Sequence, residues 1–557
     1  MRLSGIGVSP GLAQGRVVVV YHDAVDLPLA EPAEDDPGAV QRLIIATLEE
    51  VARGMEQRAE SVADPDSAEV LRATAMIARD PAISEEVGTQ LRLGKGRFSA
   101  LAAAINHFAA LLTSIGGYMA ERVADLRDVH RRAHARLLGH AEPGMPELTE
   151  PAVIVAAELA PADTVGLDST KVLAIVTEQG GATSHTAILA SQLGIPAVVG
   201  CAGILDAKAT VVAVDGTAGE VAIDPDSGDQ DEWARKRERR AALEQESGGP
   251  GHTKDGRPVA LLANLGTVAD AMAAGRTAVE GSGLFRSEFL YLGRQSAPSV
   301  EEQAETYRRV FHALGRRRVV IRTLDSGADK QLAFVPSGSE ANPALGRRGL
   351  RLYEAIPEII TDQLRAIARA AHMTDAQVHV MAPMVSTLDE AAWFTQLARE
   401  QGLEHAGVML EVPAAALRAH QILEVCDFAS MGTNDLAQYL FAADRQSAGN
   451  ATLLDAWQPA LWQLTSDAVR AGLDLGKPVG ICGEACSDPL LALVAVGAGI
   501  TSLSMVLPKV PLVRAALARH TVAECEEMLD AVLEADSPST ARQRVRSLVH
   551  PAFQEIV

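Results

Sequence analysis

Short apolar runs alternate with longer amphipathic stretches from about Pro258 onward. Helical stretches separate the runs, and eight strands alternating with helices predict a closed (β/α)8 barrel. An open doubly wound sheet is the alternative, although no Gly-rich dinucleotide turn follows the first run. The eight runs are Val259–Ala263, Val279–Leu284, Val319–Leu324, Val378–Pro383, Gly407–Glu411, Phe428–Gly432, Val479–Cys482 and Ser502–Val506.

The residues before the predicted barrel combine helical and strand-like patterns. Residues 38–139 repeat apolar positions at helical spacing, and strand-like runs flank them. One α/β domain interrupted by an all-helical insertion is the simplest prediction. The flanking strand-like runs are Val17–Tyr21, Ala152–Ala156, Val172–Val176, Ala197–Val199 and Val211–Val214. The predicted buried face of the first helix carries Leu43, Ile44, Thr47, Leu48 and Val51.

These patterns predict four regions. Residues 1–22 and 146–228 form the α/β domain, 23–145 the helical insertion, 229–254 a linker helix and 255–557 the barrel. The linker is expected because the charged segment Asp231–Glu246 precedes the Gly/Pro-rich segment Ser247–Gly251.

Composition narrows the class of protein. A chain of 557 residues is too long for one core and should hold three or four domains. No apolar stretch approaches the roughly 20 residues of a membrane span, and the N-terminus lacks a signal-peptide core. Five scattered cysteines favour a reducing cytoplasm. The net charge of −22 disfavours nucleic acid and favours small ligands or a basic protein partner.

One glycine-rich turn carries a candidate reactive histidine. The segment Gly180–Thr186 follows the apolar run Lys171–Val176 and precedes the helix-like segment Ala187–Leu193. His185 would therefore sit at a helix N-terminus, where free N–H groups and the helix dipole favour a phosphate. An isolated histidine of this kind is more often a surface residue beside a helix cap, so the assignment depends on a second cluster.

That second cluster follows the barrel strands. Active sites of such barrels lie at the carboxyl ends of the strands. Guanidinium groups match phosphate and carboxylate oxygens, and paired carboxylates can hold Mg²⁺. The pattern predicts a clamp for a small phosphorylated acid. The strand-end residues are Arg286, Arg322, Glu411, Asn434, Asp435, Arg445 and Cys482.

Cys482 narrows the substrate to phosphoenolpyruvate. When the phosphoryl group leaves, the enolate must take a proton at carbon to become pyruvate, and a thiol at the barrel mouth can supply it as a general acid. A small buried strand residue is the alternative interpretation of this cysteine.

The ordered motifs resemble enzyme I of the bacterial sugar phosphotransferase system. The resemblance rests on Gly180–Ala187 and on Gly5–Ala13, and it extends from about Ile6 to about Pro508. It implies a swivelling phosphohistidine domain with His185 as phosphoacceptor, and Cys482 as proton donor. It also implies transfer of the phosphoryl group from phosphoenolpyruvate to the phosphocarrier protein HPr, with release of pyruvate, and a homodimer formed through the barrel.

The resemblance assigns further roles. Phosphoenolpyruvate would be bound by Arg286, Arg322 and Arg445, with contacts from Asn434 and Asp435. Glu411 and Asp435 would ligate Mg²⁺. Thr164 would lie near the resting histidine, and Glu340–Arg347 would form a loop near the substrate. The chain departs from the family pattern at Ala182, Ser326 and Ala328.

Three alternatives stay open at this point. A pyruvate,phosphate dikinase or phosphoenolpyruvate synthase shares the histidine loop and the barrel, but it needs an ATP-grasp domain. Only about 145 helix-like residues precede the returning α/β segment here. A catalytically silent regulatory homologue and a carbon–carbon lyase are the other two readings.

Overall fold

The computed structural model describes most of the chain as two compact units. The units are Met1–Ala234 and Arg235–Val557. Within the described residues, no helix has the length and apolar character needed to cross a membrane. The described residues are 1–9, 11–20, 31–61, 65–115, 118–139, 148–159, 171–181, 185–246, 248–291, 294–327, 332, 334–335, 342–353, 356–444, 452–554 and 556.

An eight-stranded sheet forms the α/β part of the first unit. Its spatial order is β1-β8-β7-β3-β4-β5-β6-β2, so the N-terminal strands lie at both edges. The central strand β3 pairs in parallel with β4 and antiparallel with β7. The strands are β1 (Arg2–Ser4), β2 (Ile6–Ser9), β3 (Leu12–Val20), β4 (Ala152–Ala156), β5 (Val172–Thr177), β6 (Ala197–Val199), β7 (Val211–Asp215) and β8 (Glu220–Ile223).

The structure confirms the α/β fold with its helical insertion and adds three strands. The sequence pattern did not predict β1, β2 and β8, which are only three or four residues long. Runs this short carry too little alternation to be recognised alone. The helix that begins at His185 is His185–Leu193, and a charged helix, Ser227–Glu246, follows the sheet.

The helical insertion packs around its own core. Ile44, Leu48 and Val51 are buried there, as predicted. The prediction was wrong for Leu43, whose side chain is 45% exposed. Leu43 lies about 100° of helical rotation from the centre of the buried stripe, so it faces away from the core. The helices are Pro37–Ser61, Pro65–Ala78, Pro81–Arg92, Arg97–Ile115 and Tyr118–Leu137.

The second unit is a closed barrel of eight parallel strands. The last strand, β16, pairs in parallel with the first, β9, which closes the sheet and excludes the open alternative. All eight predicted strands are present. They are β9 (Ala260–Leu265), β10 (Gly281–Arg286), β11 (Arg318–Arg322), β12 (Gln377–Ala382), β13 (His405–Leu410), β14 (Ala429–Met431), β15 (Val479–Ile481) and β16 (Ser502–Met505).

Helices cover the outside of the barrel and share one large apolar core with the outward side chains of the strands. Several begin at a Thr or Ser cap with an acidic residue three positions later, for example Thr267 with Asp270 and Ser299 with Glu302. The helices are Val268–Gly275, Val300–Leu314, Pro357–Ala371, Leu388–Glu400, Pro413–Leu417, Ala419–Val425, Thr433–Leu440, Pro459–Leu475, Pro489–Gly497, Val510–Leu517, Val522–Leu533, Pro538–Leu548 and Pro551–Gln554.

Closure of the barrel depends on a close backbone approach at Gly281. Its φ is +146°, and a Cβ there would lie 2.1 Å from the carbonyl oxygen of Arg318 on the neighbouring strand. We therefore expect Gly281→Ala to lower the free energy of unfolding by about 2–4 kcal/mol, because the β10–β11 ladder must open to admit the methyl group. Urea unfolding of the full chain measures this.

Gly476→Ala is the matched control. Gly476 ends the helix Pro459–Leu475 in the left-handed conformation, and nothing lies within 4 Å of the position of its Cβ. Only backbone strain is added there, which costs about 1–2 kcal/mol. Equal losses in the two variants would contradict the role of the close approach.

Candidate active site

The carboxyl ends of the barrel strands bring the predicted residues together. Arg322 ends β11, Glu411 follows β13, and Cys482 follows β15. Asp435 lies in the first turn of the helix after β14. Electrostatic interactions link Glu411 to Asp435 and Arg322, and Cys482 to Glu411 and Arg322, so the four groups share one site.

Arg322 is held by two acidic residues that the sequence analysis did not select. Its Nε and Nη2 lie 3.0 and 2.9 Å from Oε1 of Glu288, and its Nη1 lies 3.2 Å from Oδ2 of Asp325. Glu288 also accepts the backbone N–H of Asp325 at 3.0 Å. All three side chains are buried. The guanidinium orientation is therefore set before any ligand arrives.

Arg348 connects two acidic residues of the site, Asp325 and Asp435. Its guanidinium group makes paired hydrogen bonds to Asp325 at 2.9 and 2.8 Å and to Asp435 at 2.8 and 3.2 Å. Gly327 leaves room for it, since a Cβ there would lie 2.7 Å from Cβ of Arg348. The sequence analysis missed Arg348. Its neighbour Arg347 is exposed, and no pattern distinguished the two adjacent arginines.

Glu411 is fully buried with one oxygen unsatisfied. Its Oε1 accepts the backbone N–H of Met384 at 2.6 Å, while Oε2 has no hydrogen-bond partner among the described residues. Met384 has a φ of +59°, an uncommon conformation for a non-glycine residue. Burial, together with the carboxylates of Asp435 and Asp325, raises the pKa of Glu411 to about 8.

The balance of charge fits a bound cation. Four carboxylates of this site are buried, against the two buried guanidinium groups of Arg322 and Arg348. No group of three His, Cys, Asp or Glu side chains forms a metal cluster within the part of the chain that is described. A divalent ion that keeps several waters needs only one or two protein carboxylates. The unsatisfied oxygen of Glu411 supplies one, and the excess of buried negative charge favours the ion. The four carboxylates are Glu288, Asp325, Glu411 and Asp435.

Cys482 is a buried thiol inside the barrel. It packs with apolar side chains that include Leu284, Val320 and Met381, and its Sγ lies 3.7 Å from the carbonyl oxygen of Met431. Burial raises the pKa of the Cys482 thiol to about 11. The group therefore carries its proton at neutral pH, as a general acid must.

Arg286 and Asn434, which were also predicted to bind the substrate, make different contacts. Arg286 ends β10 and is partly buried, and its side chain has no hydrogen bond or ion pair with the described residues. Its charge acts on Cys482, so it belongs to the same site. Asn434 accepts the backbone N–H of Glu484 at 3.4 Å, which links the loops after β14 and β15.

Some predicted residues lie outside what the structure describes. The backbone of His185 begins the helix His185–Leu193, but its side chain is not described. Arg445, Thr164, Ala182 and Ala328 lie outside the described residues as well. The helix begins at His185, and Gly180 before it has a φ of +99°. Ser326 is buried, and its carbonyl accepts the N–H of Gly349.

Three family models match successive parts of the chain. The PEP-utilising enzyme N-terminal model matches residues 4–122, the mobile-domain model matches 148–219, and the PEP-binding-domain model matches 240–522. The last of these covers all eight barrel strands.

Curated relatives match over nearly their full length. The phosphoenolpyruvate-protein phosphotransferase of Streptomyces coelicolor is 45% identical, over 98% of this chain and 99% of that protein. The one from Haloferax volcanii is 37% identical, over 96% and 97%. A solution structure of an Enzyme I protein is 30% identical, over 42% of this chain and 98% of that one, with a TM-score of 0.37. On the full-length relatives and the family models, the chain belongs to the phosphoenolpyruvate-protein phosphotransferase family, enzyme I.

Proposed function

We propose that the protein transfers the phosphoryl group of phosphoenolpyruvate to His185 and then to a histidine of the phosphocarrier protein HPr, releasing pyruvate. The observation that carries this proposal is the buried group of Arg322, Glu411, Asp435 and Cys482 at one end of the barrel. Cationic, metal-binding and proton-donating groups occur there together. Full-length similarity to phosphoenolpyruvate-protein phosphotransferases supports the same reaction.

Substrate binding falls to the arginines. Arg286 has no partner among the described residues, so it is available to the phosphate or carboxylate of the substrate. Arg322 is fixed in place by Glu288 and Asp325 and presents its remaining N–H donors to the same anion. We assign Arg445 and Asn434 to the same substrate. Positioning and charge neutralisation are what phosphoryl transfer mainly requires.

Glu411 and Asp435 are the residues that would hold Mg²⁺. When bound, the ion neutralises negative charge on substrate oxygens. Arg348 limits how far Asp435 can move, because it holds both carboxylate oxygens. The N–H of Met384 orients Glu411 so that only one of its oxygens remains for a ligand.

Cys482 would carry out the last step that converts phosphoenolpyruvate to pyruvate. Loss of the phosphoryl group leaves an enolate, and the neutral thiol donates its proton to the carbon to give pyruvate. Water exclusion helps, because the thiol is only 4% exposed. Transfer to HPr would then proceed from His185 without any of these groups.

The remaining parts of the proposal concern partners and location. We propose a homodimer formed through the barrel and a cytoplasmic protein, the latter because all five cysteines are free and buried. The dikinase alternative is disfavoured, since the helical insertion stands where an ATP-grasp domain would be needed. A silent homologue would have no need for a buried thiol beside paired carboxylates.

His185→Ala tests the phosphoacceptor. We expect complete loss of the acid-labile label from phosphoenolpyruvate with an unchanged melting temperature, because the residue stands at the first position of a helix, where no core packing is expected. Labelling with ³²P-phosphoenolpyruvate in the absence of ATP measures this. His107→Ala, an exposed histidine of the helical insertion, should label normally. Retention of label on His185→Ala would reject the assignment, and a requirement for ATP would favour the dikinase.

Glu411→Gln tests the cation site through pH-dependent stability. The unfolded chain ionises this carboxyl near pH 4.5, but the folded protein keeps its proton until about pH 8. Without divalent ions the wild type should therefore lose stability as the pH rises through this window, on the order of 2–4 kcal/mol. Glu411→Gln should lack this loss.

The measurement is thermal unfolding between pH 5 and pH 8.5, in EDTA and in Mg²⁺. Mg²⁺ should restore stability at pH 8 in the wild type and not in Glu411→Gln, because the ion compensates the ionised carboxylate. Parallel curves for the two proteins in both buffers would argue against the site.

Cys482→Ser tests the proton donor. We expect pyruvate formation to fall at least about a hundredfold, because a hydroxyl is a far weaker acid. Transfer from phosphorylated His185 to HPr should stay at the wild-type rate. The matched control is Cys486→Ser, another buried thiol, which contacts the carbonyl oxygens of Gly483 and Ser504. A normal pyruvate rate in Cys482→Ser would make Cys482 a packing residue only.

A further inference from the structure

The segment at the end of β11 carries two charged groups of the site, and most of it belongs to no strand or helix. β11 ends at Arg322, and residues 323–326 continue without regular structure. Arg322 and Asp325 are buried and form an ion pair with each other. Buried backbone groups of such a segment need hydrogen-bond partners other than a regular sheet ladder. The positions of both charged side chains therefore depend on what holds this short piece of backbone.

Side chains from other parts of the barrel hold that backbone. The N–H of Leu324 donates to Oε1 of Gln363 at 2.9 Å, and the hydroxyl of Tyr353 donates to the carbonyl oxygen of Leu324 at 2.6 Å. The hydroxyl of Ser287 donates to the carbonyl oxygen of Arg322 at 2.8 Å. All five residues are buried. The end of β11 is thus fixed by side chains that are distant from it in the sequence.

Gln363 connects these contacts to one another. It lies on the helix Pro357–Ala371, and its side chain is fully buried. Its Nε2 donates to the hydroxyl oxygens of Ser287 at 2.9 Å and Tyr307 at 3.0 Å. A backbone N–H can only donate, so the amide oxygen must face Leu324 and the NH2 group must face the two hydroxyls. Both N–H donors of the amide are therefore used, and its orientation is fixed.

The amide also sets the direction of the Ser287 hydroxyl. Because Gln363 donates to the oxygen of this hydroxyl, the hydroxyl proton is left for the carbonyl oxygen of Arg322. A carboxylate at position 363 would accept that proton instead, and an apolar side chain would leave the buried N–H of Leu324 without its partner. A neutral amide suits this position, although its helix buries apolar residues nearby, such as Ile360 and Ile367.

We infer that Gln363 is a positioning residue for the binding of phosphoenolpyruvate. The inference rests on the proposed function and adds a residue to it. Gln363 lies on a helix outside the strands and acts through Leu324 and Ser287 on the segment that carries Arg322 and Asp325. A shift of this segment would move the guanidinium group of Arg322 away from the substrate anion, and a misplacement of about 1 Å can cost roughly a hundredfold in rate.

Gln363→Leu tests this role, because leucine keeps much of the volume and removes the amide. We expect the KM for phosphoenolpyruvate to rise at least about tenfold while kcat stays within about twofold of the wild type, since Arg322 binds the same anion before and during transfer. Initial rates of pyruvate release by the full-length protein, with Mg²⁺ and excess HPr, measure both constants. Label already on His185 should pass to HPr at the wild-type rate, because that step does not use the barrel site.

Gln303→Leu is the matched control. Gln303 is another buried glutamine, which donates to the carbonyl oxygen of Pro298 at 3.0 Å and accepts the hydroxyl of Tyr291 at 2.7 Å. Neither of these bonds reaches residues 322–325. Both variants should lower the melting temperature, because each removes a buried amide from its partners, but only Gln363→Leu should raise KM. A merely structural role of Gln363 would lower the melting temperature and leave KM unchanged.

Three further outcomes decide the inference. A KM within twofold of the wild type in Gln363→Leu, or an equal rise in Gln303→Leu, would overturn it. If Gln363→Leu fails to fold, Ser287→Ala answers the same question, because it removes the hydroxyl that connects Gln363 to Arg322, and an unchanged KM there would also overturn it. A wild type that releases no pyruvate from phosphoenolpyruvate would instead refute the proposed function, which distinguishes the two failures.

Discussion

The bridge made by Arg348 between Asp325 and Asp435 is the interaction on which the rest of the site depends. It connects the segment after β11 to the helix after β14, so it fixes two walls of the barrel mouth relative to each other. Such a buried network is weak evidence for net stability, but losing one partner costs about 3–5 kcal/mol because a charge is left unpaired. Here the network matters because it holds Asp325 and Asp435, and the two segments that carry them, in fixed positions relative to each other.

The same buried setting favours the protonated form of two neighbouring groups. Burial favours the neutral thiol of Cys482, which suits a proton donor. It also disfavours the ionised form of Glu411, which only a nearby cation can compensate. The low dielectric interior thus makes one group ready to act and the other dependent on a metal ion.

The barrel interior serves the site as well as the mouth does. Apolar side chains such as Val320, Met381 and Met409 pack around the thiol inside the barrel. Val320 also lines a small cavity in the barrel interior, together with serines and glycines. The thiol is therefore enclosed by apolar groups, while the charged groups of the site lie at the carboxyl ends of the strands.

The sequence by itself predicted the architecture and the strand-end chemistry. The eight barrel strands are short runs of β-branched residues between amphipathic helices, and this local signal needs no tertiary contact to be recognised. In a parallel barrel all carboxyl ends meet at one face, so Arg322, Glu411 and Cys482 could be grouped from their positions alone.

Only the tertiary structure decided which charges are buried together. Arg347 and Arg348 are indistinguishable by pattern, yet one is exposed and the other holds two carboxylates. Glu288 gave no signal either, because its role depends on a partner 34 residues away in the chain. The short strands β1 and β8 likewise form by pairing with each other, and β8 pairs with β7 as well, so their own sequences give no signal. Pairing between distant residues is a property of the fold, and local periodicity carries no information about it.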